Sequence, residues 1–365
     1  MTSKPFYHIV FFSSILLFIL ACNDMKDMPS NTILPDTKGE TGQMYVLSEG
    51  LFNMNNSTLT LIDFEKKTIT SDYFTTINGR GLGDTGNDMK VYGTKLWIVI
   101  NVSSQVEVID SRTGVSIKRI PFFDANLKAM QPRSITFHKG KAYVCSFDGT
   151  VARIDTATLT IEATINCGLN PDGLAVANNK LYVSNSGGLN MPIYDNTVSV
   201  VNLDTFTEMK KIPVGINPYK IEGDSEGDLY LVSRGNNDDV QAKFIRLSSI
   251  SDDVEEIHSD LPVMNFTIRN DTAFMYSYNY SDNSYWVKTF DCKTEKIITE
   301  QFIADQTILS RPYSIYAHPT NGNIYLSDAR TYTVKGDLYC FNSQGIYQYK
   351  IESLGLNPTA LVWLK

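Results

Sequence analysis

An aromatic residue followed by aliphatic ones recurs seven times along the chain. The copies are Tyr45-Val46-Leu47, Trp97-Ile98-Val99, Tyr143-Val144-Cys145, Tyr182-Val183-Ser184, Tyr230-Leu231-Val232, Phe274-Met275-Tyr276 and Tyr325-Leu326-Ser327. They lie about 39 to 52 residues apart, close to the blade period of propellers. The stretch from Pro171 to Thr207 and just beyond shows one whole unit. Gly173 to Ala177, Lys180 to Ser184, Thr197 to Leu203 and Glu208 to Val214 alternate or run apolar over strand lengths, and Asn178-Asn179 between the first two suits a tight turn at positive φ. Asn217-Pro218 then restarts the pattern as Asn170-Pro171 began it. A single four-stranded meander leaves both of its faces in water, so it needs neighbours of its own kind.

Each aromatic signature is followed by a further strand that ends on a turn-forming residue. Examples are Leu59 to Asp63, Val106 to Asp110, Val151 to Asp155, Val198 to Asn202, Val287 to Asp291 and Leu338 to Asn342. Asp and Asn there close tight turns through side-chain bonds to the backbone. The expected fold is all-β: a seven-bladed propeller of four-stranded antiparallel blades. The first unit opens at its second strand, Gln43 to Ser48, and the chain ends in an orphan first strand, Asn357 to Trp363. Pairing the C-terminal strand into blade one closes the ring and removes two exposed edges.

Residues 1–21 read as a signal peptide, with Lys4 ahead of an apolar run from Ile9 to Leu20. Ile19-Leu20-Ala21-Cys22 resembles a bacterial lipobox, in which Cys22 is lipidated and becomes the mature N-terminus. Residues 22–41 are polar and carry Pro29, Pro35 and Gly39, as a flexible tether would. Residues 42–365 form the propeller. The formal charge of −8 and the lack of a basic run argue against a nucleic-acid partner. Cys145, Cys167, Cys292 and Cys340 have no CxxC spacing and no nearby His, against a structural zinc site. Buried free thiols are expected, with a Cys145–Cys167 disulfide as the alternative.

Loops in such a meander alternate between two faces. The turns joining strands one to two and three to four are short. The two-to-three connections are long at residues 49–57, 185–196, 234–241, 278–285 and 328–336. Loop length concentrated on one face places function there. Those loops mix aromatics and soft apolar residues (Phe52, Tyr194, Tyr278, Tyr280, Tyr332) with Asn53, Asp148, Arg234 and Arg330. The segments entering each blade add Arg133, Asp172, Tyr219, Lys220 and Tyr313. Aromatic area at low entropy cost, with directional polar groups, suits ligand binding. These fourteen residues are the candidate site.

Catalytic signals are sparse. Among the few histidines, His138 and His318 occupy equivalent repeat positions. No GxSxG, P-loop or HExxH motif occurs, and Gly79 to Asp84 reads as a turn with no phosphate role. Carboxylates at Glu49, Asp148, Asp172, Asp238, Asp239 and Asp328 lie on the long-loop face without a motif that joins them. No cofactor and no metal are expected.

The recurring Asn-Pro…Lys-Leu-Tyr-Val-Ser-Asn…Val-Val-Asn-Leu-Asp-Thr pattern, at Asn170 to Thr205, resembles YncE-type, surface-layer-like seven-bladed propellers over about residues 43–365. With the lipobox-like start, the chain is similar to surface lipoproteins of Bacteroidetes. Some of these, the BtuG-like proteins, capture vitamin B12 and other corrinoids and pass them to a TonB-dependent outer-membrane transporter. The resemblance implies a non-enzymatic, lipid-anchored capture protein on the outer membrane, facing the exterior. It transfers no binding residue, because that family's site follows no short motif. The alternatives are a glycan- or protein-binding surface propeller and, third, a metal-dependent lactonase or hydrolase.

Overall fold

A computed structural model describes residues 31–236 and 238–364. The signal segment and Cys22 lie outside the described residues. Seven sheets form, each of four consecutive antiparallel strands, apart from the one that closes the ring. Blade 4 is representative: Pro171–Ala177, Lys180–Asn185, Thr197–Asn202 and Thr207–Pro213, in that spatial order. Blade 1 is composite. Its innermost strand is Pro358–Leu364, paired antiparallel with Gln43–Ser48 from Gln43↔Leu364 to Ser48↔Pro358. The expected closure therefore holds.

Beyond the short fourth strand of blade 1, Thr68–Thr70, a fifth strand Asn31–Ile33 pairs along the outer edge. This departs from a tether running to residue 41. Glu40, also within that stretch, is nearly buried and accepts hydrogen bonds from Asn321 Nδ2 (2.7 Å), Asn323 Nδ2 (2.9 Å) and the Tyr325 hydroxyl (2.9 Å) of blade 7. Polarity in 31–41 was misleading because these groups satisfy one another inside the fold. The sequence pattern also missed the helix Tyr73–Asn78 between blades 1 and 2, which buries Phe74.

Seven apolar clusters form, and each lies between two adjacent blades rather than within one. The recurring aromatics Tyr45, Trp97, Tyr143, Tyr182, Tyr230, Phe274 and Tyr325 all lie in this layer. Several staple one blade to the next through their hydroxyls. Tyr182 bonds Asp252 Oδ1 at 2.5 Å, and Tyr230 bonds the Cys292 carbonyl at 2.6 Å. The turn residues act as the sequence implied. Asp110, Asp155 and Asp291 each accept two backbone N–H bonds in the following turn, at 2.7–3.0 Å. Asn178 and Asn179 adopt φ of 47° and 59°. In blades 2 to 7 the third and fourth strands slip register at one repeated place, a bulge that strengthens the twist towards the rim. All four described cysteines are free thiols, and the Cys145–Cys167 disulfide does not form.

Candidate functional site

The first strands of the blades line a central channel. At the long-loop end it widens into a cavity of about 1580 Å³. Walls come from the loops of blades 4, 5, 6 and 7. The two-to-three connections of blades 2 and 3 are only a few residues long, so that arc of the rim is low.

Ten of the fourteen expected residues line this cavity: Arg133, Asp172, Tyr194, Tyr219, Lys220, Arg234, Tyr278, Tyr280, Tyr313 and Tyr332. Phe52, Asn53, Asp148 and Arg330 do not. The blade 1 loop is tied away from the mouth, because the backbone N–H groups of Asn53 and Asn55 donate to the Asp84 carboxylate at 3.2 and 2.8 Å. That leaves Phe52 about 70% exposed outside the cavity. Asp148 turns to its own tight turn, accepting from the Thr150 N–H (3.1 Å) and hydroxyl (2.7 Å). Arg330 sits at φ 55°, exposed, on a turn capped by Asp328. Tyr278 lines the cavity but is 5% exposed rather than open to solvent, with its hydroxyl donating to Asn283 Oδ1 at 2.6 Å.

The centre of the mouth is a polar and charged cluster drawn from six blades. Arg133, at the start of blade 3, donates from Nε to Asp172 of blade 4 (2.8 Å) and from Nη1 to Asn87 of blade 2 (2.7 Å). Its guanidinium also lies over the Phe147 ring, 4.5 Å from the centroid. Burial alone would drain its charge, but Asp172, Tyr219 and Glu49 hold the group firmly protonated. Arg234, from the blade 5 loop, stacks on Tyr219 at 3.4 Å and sits 3.9 Å from the second oxygen of Asp172. Gly173 permits this arrangement, since a Cβ there would collide with the Tyr219 carbonyl oxygen of the adjacent blade. Glu49, at the end of the second strand of blade 1, accepts a hydrogen bond from the Tyr313 hydroxyl of blade 7. Burial pushes its carboxyl above the ordinary glutamate range, against the pull of Tyr313, Arg133 and Arg234. The Tyr313 hydroxyl is pushed up as well, by burial and by Glu49.

Aromatic side chains form one wall. Tyr278 and Tyr280 pack edge to face at 5.0 Å. The Tyr332 hydroxyl donates to that of Tyr280 at 3.2 Å, and the Tyr332 ring meets Tyr313 at 6.0 Å. Tyr280 remains about 64% exposed. Deeper in the channel Lys220 pairs with Glu222 at 2.9 Å, and Asp88 accepts from the Ser134 hydroxyl at 3.0 Å and the Ile135 N–H at 2.9 Å.

Sequence reasoning missed Asn87, Asp88, Glu222, Asn265, Tyr276, Tyr316 and Trp286 as cavity residues, and placed Glu49 on this face without joining it to the site. Most sit on first strands, which line the channel with polar and apolar side chains alike, Met89, Leu174 and Ile221 among the latter, so no local pattern marks them.

No protein-family model and no curated protein matches this chain. Solved structures do. A quinonprotein alcohol dehydrogenase-like protein from Bacteroides thetaiotaomicron aligns over 88% of this chain and 78% of its own, with TM-score 0.61 and 14% identity. Hydrazine synthase of Kuenenia stuttgartiensis gives TM-score 0.56 at 14% identity over 69% and 74% of the two chains. The Neurospora crassa Pan2 WD40 domain gives 0.55 at 9% over 72% and 78%. At these identities the likeness is one of fold, and propellers carry unrelated functions on that fold. Some of these neighbours are enzymes and others are not.

Proposed function

We propose that the protein is a non-enzymatic capture propeller that binds a bulky, polar nutrient at its long-loop mouth, with a corrinoid such as vitamin B12 as the ligand. The cavity carries this reading. Its volume, about 1580 Å³, exceeds the range of about 300–1,000 Å³ for drug-sized ligands. Its wall pairs rigid tyrosines with arginine and asparagine donors, which suits a large ligand fringed with amides. The lipobox-like Cys22 and the resemblance to Bacteroidetes surface lipoproteins support lipid anchoring at the outer membrane, mouth outward, with a TonB-dependent transporter as the partner that receives the ligand. Purified protein mixed with cyanocobalamin at micromolar concentration is expected to co-elute in gel filtration with visible absorbance at one ligand per chain. Elution of all the colour in the small-molecule volume overturns the corrinoid reading.

The exposed face of Tyr280 favours a second reading, glycan capture, because an accessible aromatic ring offers a sugar a stacking platform. In that case Tyr280→Ala abolishes retention on a polysaccharide affinity gel. Retardation of wild-type protein by no polysaccharide removes this reading.

A further inference from the structure

The two arginines at the mouth are not equivalent. Arg133 is spent: its guanidinium is shared between Asp172, Asn87 and the Phe147 ring, and its side chain is 14% exposed. Arg234 is held flat on Tyr219 by a 3.4 Å stack, yet among the described residues it makes no side-chain hydrogen bond. Its nearest carboxylate oxygen, on Asp172, is 3.9 Å away and belongs to a carboxylate already engaged by Arg133. The side chain is 38% exposed and lines the cavity.

An arginine fork fixed in one plane, with its donors open to a cavity, matches the geometry of a carboxylate or phosphate. The ordering cost has already been met by the tyrosine stack, so less is lost when an anion docks. Surrounding charges leave room for it. Of the carboxylates lining the mouth, Asp172 is paired, Glu49 is hydrogen-bonded to Tyr313, and Asp238 sits out on the exposed blade 5 loop. Deeper in the channel, Lys220 is paired with Glu222 at 2.9 Å, and Lys90, 3.8 Å from Asp88, is a point charge without the planar fork of an arginine.

We infer that Arg234, backed by Tyr219, is an oxyanion-recognition residue of this cavity, so that the captured ligand carries a carboxylate or phosphate group docked at blade 5. This deepens the capture reading and rests on the mouth being the ligand site. It does not require the ligand to be a corrinoid.

The test has two arms. In the first, inorganic phosphate and acetate are titrated separately into the protein at constant ionic strength, following the Nε–H resonance of Arg234 by NMR. A saturable shift with one or both anions, lost in Arg234→Gln, is expected, and the more effective anion identifies the group. The absence of any shift beyond that seen with chloride overturns the proposal, as does a thermal stabilisation by the anion that persists undiminished in Arg234→Gln. In the second arm, cyanocobalamin, which carries a phosphodiester, is compared with dicyanocobinamide, which lacks it. Arg234→Gln is expected to weaken cyanocobalamin binding about tenfold or more and to leave dicyanocobinamide unchanged. An equal loss for both overturns a phosphate-reading role. Failure of the wild type to bind either corrinoid, with the anion response intact, removes only the corrinoid reading.

Discussion

The mouth is held together by a few buried charges, and their behaviour can be worked out residue by residue. Asp172 and Arg133 are a nearly buried pair, 2.8 Å apart with side chains 5% and 14% exposed. Asp172→Asn leaves the arginine poorly compensated in a low-dielectric site, so a loss of about 3–5 kcal/mol is expected in urea unfolding. Glu49 works in the opposite sense. Its folded-state pKa is raised above the ordinary value of 4.5 by burial, so the native state binds that proton more tightly than the unfolded chain. Its contribution is complete below 4.5 and fades as the pH climbs through the raised value. Glu49→Gln should therefore gain stability relative to wild type as the pH rises from acid to alkaline. A mutant-minus-wild-type difference in urea midpoint that stays flat with pH contradicts this.

At the scale of the element, the outer edge of blade 1 depends on a blade remote from it in the chain. Glu40 takes three hydrogen bonds from blade 7 and sits 3.4 Å from His318 Nε2, which itself packs against the Trp363 ring of the closing strand. It pins the segment that carries the edge strand Asn31–Ile33 to the seam where the ring closes. Glu40→Ala takes the acceptor from the part-buried Asn323 amide, while Tyr325 keeps its bond to the Tyr349 hydroxyl and Asn321 is exposed to water, for a cost of about 1–2 kcal/mol. Faster hydrogen exchange along Asn31–Ile33 and its partner Thr68–Thr70 is expected with it. Unchanged protection there means the edge strand is held by its own ladder. This element was hidden in the sequence. A three-residue strand has no measurable period, and a lone Glu in a polar stretch looks like any solvated charge until the distant blade supplies its donors. The blade strands were legible for the converse reason: a strand buried on both faces between neighbouring blades must be apolar over most of its length.

For the whole molecule, stability rests on a closed ring of seven inter-blade cores, and Pro358–Leu364 is its clasp. Removing the residues after 357 exposes the inner edge of Gln43–Ser48 and opens the clusters on either side of blade 1. The truncated chain is expected to aggregate or to melt well below the full chain, as followed by light scattering and thermal unfolding. A monomeric truncation with an unchanged melting temperature shows that closure is dispensable.

The chain's own order of residues determined the architecture. The recurring aromatic–aliphatic strand, the Asp and Asn turns and the unpaired strand at each end can be satisfied together only by seven blades in a ring, because each encodes local geometry or a burial demand. It also determined which face carries the long loops. What it left open was convergence. Phe52 and Asn53 read like Tyr280 and Arg234, yet Asp84 ties the first two away while the others face the cavity. Arg133, Asp172, Tyr219, Arg234, Tyr313 and Glu49 are spread over nearly 270 residues and share no motif. Only the closed ring brings their blades to one axis, where burial and mutual charge give each a role that no local pattern of residues encodes.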